Sequence, residues 1–188
     1  MLPGDALHSV RHAVIIGCLV IGACAGLAPK KDPTVVSSVD LSRYAGMWYE
    51  IARLPAWFQR HCVDSQAIYT PRSDGKIGVH NRCLTDKGNT ETADGVATVV
   101  DAKTNARLNV VFDNWFARLF GSSNEGNYWI LDLDADYRAA LVGTPDRRHL
   151  WILARSPRVD EATFQRLVSK GRALDYPIDE LVVDKRSF

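Results

Sequence analysis

The sequence predicts an all-β fold: an eight-stranded antiparallel up-and-down barrel, with one α-helix packed outside it and a short final strand. Three observations point there. Residues 128–155 hold three short apolar runs, 128–133, 139–142 and 150–154, parted by the polar breaks 134–138 and 144–149. Runs this short, rich in Ile, Leu, Val and aromatics and about 8–12 residues apart, are consecutive strands of a meander. No helix-length segment lies between them, which excludes crossover connections and makes the pairing antiparallel. Closing the meander into a barrel is the arrangement that leaves no exposed strand edge.

Residues before 40 serve address and tether. Arg11-His12 precedes an apolar run, 13–23, that ends in Ile21-Gly22-Ala23-Cys24. The run is about half the ~20 residues a spanning helix needs and fits the core of a signal peptide. Small residues ahead of a cysteine are the pattern of lipoprotein processing, which makes Cys24 the acylated (palmitate-type) N-terminus. Ala25, rather than Asp, follows and favours sorting to the Gram-negative outer membrane, with the domain facing the periplasm. An ordinary secretory signal cleaved near Ala23 or Ala25 is the alternative. Residues 24–39, with Pro29, Lys30, Lys31, Pro33 and Ser37-Ser38, form the lipidated N-terminus and a tether without a fold of its own, roughly 50 Å long when extended.

The domain spans residues 40–188. Residues 40–44 are a turn or short helical lead-in, and 44–53 the first strand. Residues 54–61 make the first long connection. Residues 62–69 and 77–84 are paired strands around Asp74-Gly75, a strong hairpin turn signal. Strands follow at 91–100 and 106–112. A second long connection, 113–127, leads into the meander. In residues 159–170, Phe164, Leu167, Val168 and Gly171 fall at helical spacing behind Asp160-Glu161. Residues 181–183 are the last strand.

On these residues the chain resembles the lipocalins. Gly46-x-Trp48 opens the first strand, and Trp151-Ile-Leu-Ala-Arg155 closes the meander. Gly46-Met-Trp-Tyr-Glu-Ile-Ala-Arg53, Asn81-Arg-Cys83 and the 133–155 pattern are similar to the bacterial outer-membrane lipoprotein lipocalins, relatives of apolipoprotein D. The usual Thr-Asp-Tyr motif is not intact; Leu133-Asp134 and Asp136-Tyr137 stand in its place. The resemblance covers residues 40–188 and implies lipid binding, with fatty acids and lysophospholipids as the ligands. Physically, Trp48 plugs the closed end, and Arg155 lays its guanidinium on the indole face, a cation–π contact.

An eight-stranded barrel either fills with side chains or holds one small ligand. Alternation along the strands sorts the faces. It turns Leu108, Val110 and Phe112, Tyr128 and Ile130, Trp151 and Leu153, and Ala97 and Val99 inward as a mostly apolar lining suited to an acyl chain. The loops after the first, third, fifth and seventh strands form the mouth. Two of them carry large apolar side chains: Trp57 and Phe58 in one, Trp115, Phe116, Leu119 and Phe120 in the other. These either cover one another or meet ligand, the bilayer or a second protomer in a homodimer. Arg53, Arg60 and Arg82 near the mouth offer a cation to an anionic head group.

Cys18 lies within the signal, which leaves Cys62 and Cys83. Both lie nearly the same distance from the Asp74-Gly75 turn, within bridging reach, and an exported protein meets an oxidising compartment. The reading is a Cys62–Cys83 disulfide. A net charge of +1 with no Lys/Arg run gives no basic stripe for nucleic acid. Catalytic, metal-ligand and cofactor motifs are absent from the sequence, and the expectation is a binding protein, not an enzyme. A thiol-dependent lipid isomerase would need Cys62 or Cys83 free. An envelope scaffold would have its cavity filled by Phe112, Tyr128 and Trp151.

Overall fold

The computed structural model describes residues 31–113 and 124–184. Nine strands form one antiparallel sheet: β1 (Gly46–Arg53), β2 (Cys62–Pro71), β3 (Ile77–Thr85), β4 (Thr90–Val99), β5 (Arg107–Phe112), β6 (Tyr128–Leu133), β7 (Ala139–Gly143), β8 (Leu150–Ala154) and β9 (Val182–Val183). Neighbours run β2 through β8 in chain order, then β1, then β9, and a β1–β2 pairing closes the barrel. Among the described residues the α-helices are α1 (Leu41–Tyr44) and α2 (Glu161–Ala173).

Two apolar layers follow from strand alternation. Inside the barrel lie Trp48, Tyr69, Val79, Ala97, Leu108, Val110, Phe112, Ile130, Val142 and Leu153. The outward residues of β6–β8 and β1, among them Trp129, Leu131, Leu141, Leu150, Ile152 and Ile51, pack under Phe164, Leu167 and Val168 of α2. The helix starts two residues later than its apolar spacing predicts. Asp160 is extended, and its side chain accepts from Thr163 N at 2.8 Å, making it the N-cap. Gly171 lets the helix pack close to the chain beyond it: a Cβ there would stand 2.6 Å from Ile178 Cδ1.

The stretch expected as tether is seated on the barrel over its last residues. Val36 N donates to Ile130 O at 3.0 Å, Val39 N to Thr104 O at 2.8 Å, and Asn105 Nδ2 to Val39 O at 3.2 Å. Val39 is buried, and Val35 and Val36 pack against the interior cluster. The three valines supply the apolar surface that composition averaged over the whole tether conceals. The residues expected as signal peptide, Cys24 included, lie outside the described residues.

The closed end is built from α1 and the 4–5 and 6–7 turns. Asp40 caps α1, its carboxylate accepting from Ser42 N at 2.9 Å, while its own N–H donates to the Tyr137 hydroxyl at 2.8 Å. Trp48 is fully buried. The Arg155 guanidinium lies 3.9 Å from its ring centroid, and the indole Nε1 donates to Tyr44 O at 2.8 Å. Gly46 adopts φ +95°, with Arg155 Nη1 just 3.3 Å from where a Cβ would be. The positive φ strains any residue with a side chain, and a Cβ would also crowd the guanidinium.

The mouth is less completely laddered. β1 pairs with β2 only from Gly46–Tyr69 to Tyr49–Gln66. Beyond that, its Ala52 and Arg53 pair with Val183 and Val182 of β9. Across the barrel, β5 and β6 share just Arg107–Trp129 and Leu108–Tyr128. The Asn127 side chain extends that seam like a strand residue: Val110 N donates to its Oδ1 at 2.7 Å, and its Nδ2 donates to Val110 O at 2.9 Å.

Candidate functional site

Above the packed floor the barrel holds a cavity of about 510 Å³ that opens at the mouth, within the usual size of small-molecule sites. Val110, Phe112, Tyr128, Trp151, Leu153 and Phe58 line it. Leu108, Ile130, Ala97 and Val99 also face inward, but they belong to the packed interior below and do not line the cavity. Alternation sets the face of a residue and not its depth. Trp57 does not line the cavity either. It is half exposed on a short 3-10 turn (Trp57–Gln59), with its ring edge-on to Phe58 at 6.0 Å. Trp115, Phe116, Leu119 and Phe120 lie outside the described residues.

The wall formed by β2, β3 and β4 presents three rows inward. Tyr69, Val79 and Gly95 form the deepest, Ala67, Asn81 and Ala93 the next, and Ser65, Cys83 and Glu91 the row nearest the mouth. The Cys62–Cys83 disulfide, with Cα atoms 5.5 Å apart, ties the two strands at that rim. A lining of Ala, Val, Leu and aromatics over this length accepts a chain-like apolar group.

At the cavity floor, three phenols form one chain of hydroxyls. Tyr44 and Tyr128 oxygens are 2.7 Å apart, and Tyr69 and Tyr128 oxygens 2.8 Å. Burial pushes the Tyr69 phenol up to about 12, and burial raises Tyr44 and Tyr128 well above the ordinary phenol value. The hydroxyls stay protonated at any physiological pH, and the shared chain pairs them with one another.

Opposite the β2–β4 wall, a second network holds the first connection across the mouth. Gln59 Nε2 donates to Glu50 Oε2 at 2.8 Å, and Trp151 Nε1 donates to Gln59 Oε1 at 3.0 Å. Arg53 Nη1 donates to Glu50 Oε1 at 2.9 Å, while its Nη2 donates to Gln59 O at 2.8 Å and Cys62 O at 3.3 Å. Burial raises the Glu50 carboxyl, and Arg53 opposes this. Phe58, His149 and Trp151 then stand in series, with ring centroids 5.6 and 5.8 Å apart. Burial also lowers the His149 imidazole.

Two of the three mouth arginines are committed within the protein, and the third, Arg82, lines the cavity at its rim. Arg53 spends both terminal nitrogens on Glu50 and two carbonyls. Arg60 donates to His61 Nε2 at 3.1 Å and to Trp57 O at 3.0 Å. Arg82 shares the outward parity of His80, whose Nδ1 lies 2.6 Å from Asp94 Oδ1, yet it is exposed at the rim and is part of the cavity lining. The polar cavity residues that sequence reasoning missed are Glu50, Gln59, Ser65, Gln66, Asn81, Glu91, Thr92 and Asn127. Glu50 shares the parity of Trp48, which was the available signal. Gln59 carried none, since a loop residue has no alternation to read.

The Lipocalin-like domain family matches residues 39–186. The chain is 38% identical over 158 residues to temperature-induced lipocalin-1 of Arabidopsis thaliana, covering 82% of this chain and 83% of that one. It is 33% identical over 171 residues to the outer membrane lipoprotein Blc of Escherichia coli strain K12, covering 90% and 92%. Among solved structures, the cockroach allergen Per a 4 superposes with a TM-score of 0.56 at 22% identity, covering 82% of this chain and 96% of that one, a likeness of fold.

Proposed function

Because the chain belongs to the lipocalin-like domain family, we propose that it binds lipid, holding the acyl chain of a fatty acid or lysophospholipid in the barrel, and that it acts in lipid transport or envelope maintenance at the outer membrane. The observation that carries this reading is the cavity: about 510 Å³, open at one end and lined mainly by apolar and aromatic side chains. A filled barrel, as the scaffold alternative requires, would leave no such space. The isomerase alternative needs a thiol in the cavity, and Cys62 and Cys83 are joined to each other.

The outer-membrane part rests on the Ile21-Gly22-Ala23-Cys24 motif and on the similarity to Blc, itself an outer membrane lipoprotein by name. In this reading an acylated Cys24 anchors the chain with its domain facing the periplasm. The apolar rim, with half-exposed Trp57, meets the bilayer or a second protomer. Mass spectrometry of the mature N-terminus tests the anchor: an acylated Cys24 is expected, and an unmodified start at Ala25 or Gly26 overturns it.

Native mass spectrometry of the chain from Ala25 onward, exported to the periplasm and purified without detergent, tests the ligand. A retained acylated species is the expected result. An empty protein that also takes up no added fatty acid or lysophospholipid overturns the reading.

A further inference from the structure

The three phenols at the cavity floor have one hydrogen more than they use. The Tyr44, Tyr69 and Tyr128 hydroxyls share two contacts, at 2.7 and 2.8 Å, with Tyr128 in the middle. Each hydroxyl carries one hydrogen and two acceptor lone pairs. Three hydrogens serve two bonds, so in every arrangement one O–H is left over, with no further partner among the described residues. Burial keeps all three phenols protonated well above neutral pH, so the surplus is permanent.

The topology sets that surplus in the path of a guest. β2 and β6 lie four strands apart in the closed ring of β1 to β8 and so face one another across the bore. Tyr69 of β2 and Tyr128 of β6 therefore meet near the barrel axis, as a crossbar. Both line the cavity, and Tyr44 does not. Tyr128 is only partly buried. From the rim row of Ser65 and Cys83 to the floor row of Tyr69 and Val79 is four residues on each strand, roughly 13 Å at the rise of a strand. An extended acyl chain of medium length spans that distance and brings its far end to the crossbar.

The surroundings narrow what that end carries. Val79, Val110 and Leu153 line the cavity and pack in one cluster with the two tyrosines. The Arg155 guanidinium spends its donors on main-chain carbonyls. A carboxylate at this depth would exchange its hydration for a single donor, an uncompensated desolvation. A bare methyl end would leave the surplus O–H without water or partner, which costs affinity. A ketone or hydroxyl oxygen accepts that one hydrogen. Arg82, at the rim of the same cavity, remains for an anionic head at the other end of the chain.

We propose that Tyr69 and Tyr128 form a deep subsite for a neutral oxygen, and that the barrel prefers acyl chains bearing a ketone or hydroxyl at or beside their far end over unsubstituted chains. The subsite rests on the acyl-binding reading above and sharpens it.

The test uses the full chain and displacement of the neutral dye N-phenyl-1-naphthylamine at pH 7.5 by dodecanoate, 11-oxododecanoate and 6-oxododecanoate. The two keto acids are isomers with the same head, and differ only in where the oxygen falls. The 11-oxo acid is expected to displace the dye at about one-fifth the concentration of the 6-oxo acid, the worth of one hydrogen bond. In Tyr69→Phe/Tyr128→Phe protein the isomers become equal, while dodecanoate binds at least as well as before, which also shows that the variant folds. A second readout needs no variant: the infrared ketone band of bound 11-oxododecanoate, labelled with carbon-13 at the ketone, is expected below its position in hexane. Equal displacement by the isomers in the unaltered protein, a band at the hexane position, or an isomer difference that survives in the double variant overturns the subsite. Dye that none of the three acids displaces defeats the acyl-binding reading itself.

Discussion

The guanidinium of Arg155 covers the face of Trp48 at 3.9 Å and at the same time donates to five carbonyls. Nη1 reaches Met47 O at 2.8 Å, and Nη2 reaches Arg43, Tyr44 and Ala45 O at 2.8, 3.0 and 2.8 Å. Nε reaches Tyr137 O at 3.2 Å. One side chain therefore fastens α1, the start of β1 and the 6–7 turn over the plug of the barrel. Arg155→Met is expected to lower unfolding stability by about 3 kcal/mol, since charged hydrogen bonds contribute about 1.5–3 kcal/mol each and do not add in full. Arg155→Lys should recover only part of that, because an ammonium cannot reproduce the planar fork. Urea midpoints of the three proteins check it.

The Cys62–Cys83 bond spans 21 residues and closes the β2–β3 hairpin at the rim. Its loss in Cys62→Ser/Cys83→Ser protein should cost about 3 kcal/mol through the freer unfolded chain. The urea midpoint should fall and the transition should steepen, because the unlinked unfolded chain exposes more surface. The same midpoint should be reached by wild-type protein under full reduction.

Filling the cavity should separate binding from folding. Ala67 and Ala93 face the cavity in the same row of the wall. Ala67→Phe/Ala93→Phe is expected to reduce uptake of a fluorescent fatty acid by more than about tenfold, on the scale of 1.4 kcal/mol per decade. Near-ultraviolet circular dichroism should stay native. Unchanged uptake would place the ligand outside the barrel.

The tyrosine chain at the floor predicts an alkaline limit. Tyr69 is raised from 10 to about 12 by burial, with Tyr44 and Tyr128 shifted the same way. The folded state holds these protons more tightly than the unfolded chain does. Their contribution is therefore complete below pH 10 and is lost as pH rises from 10 through about 12. Urea midpoints should hold from pH 8 to about 10 and then fall steeply, and Tyr69→Phe should make that fall shallower.

Strand order, the hairpin, the outer helix and the disulfide were legible in the sequence because each depends on short-range pattern: alternation, a turn dipeptide, helical spacing, matched distances from a turn. What was not legible depends on contacts far apart in sequence. Val36 finds Ile130, and Gln59 finds Glu50 and Trp151, and nothing near either residue announces its partner. Arg53 at the end of β1 read as an available cation. Its partner Glu50, three residues earlier, claims it only because both are buried together. Leu108 and Ile130 share the inward parity of Phe112 and Tyr128, yet they fall on the packed side of the cavity floor.

The parting of β1 from β2 makes the two ends of the tube mechanically unlike. Below the Tyr49–Gln66 pair the wall is a continuous hoop. Above it the pairing of β1 passes to β9, and β1 is joined to the start of β2 by Arg53 Nη2 on Cys62 O at 3.3 Å. The seam is thus main chain below and side chain above, and a substitution reaches only its upper half.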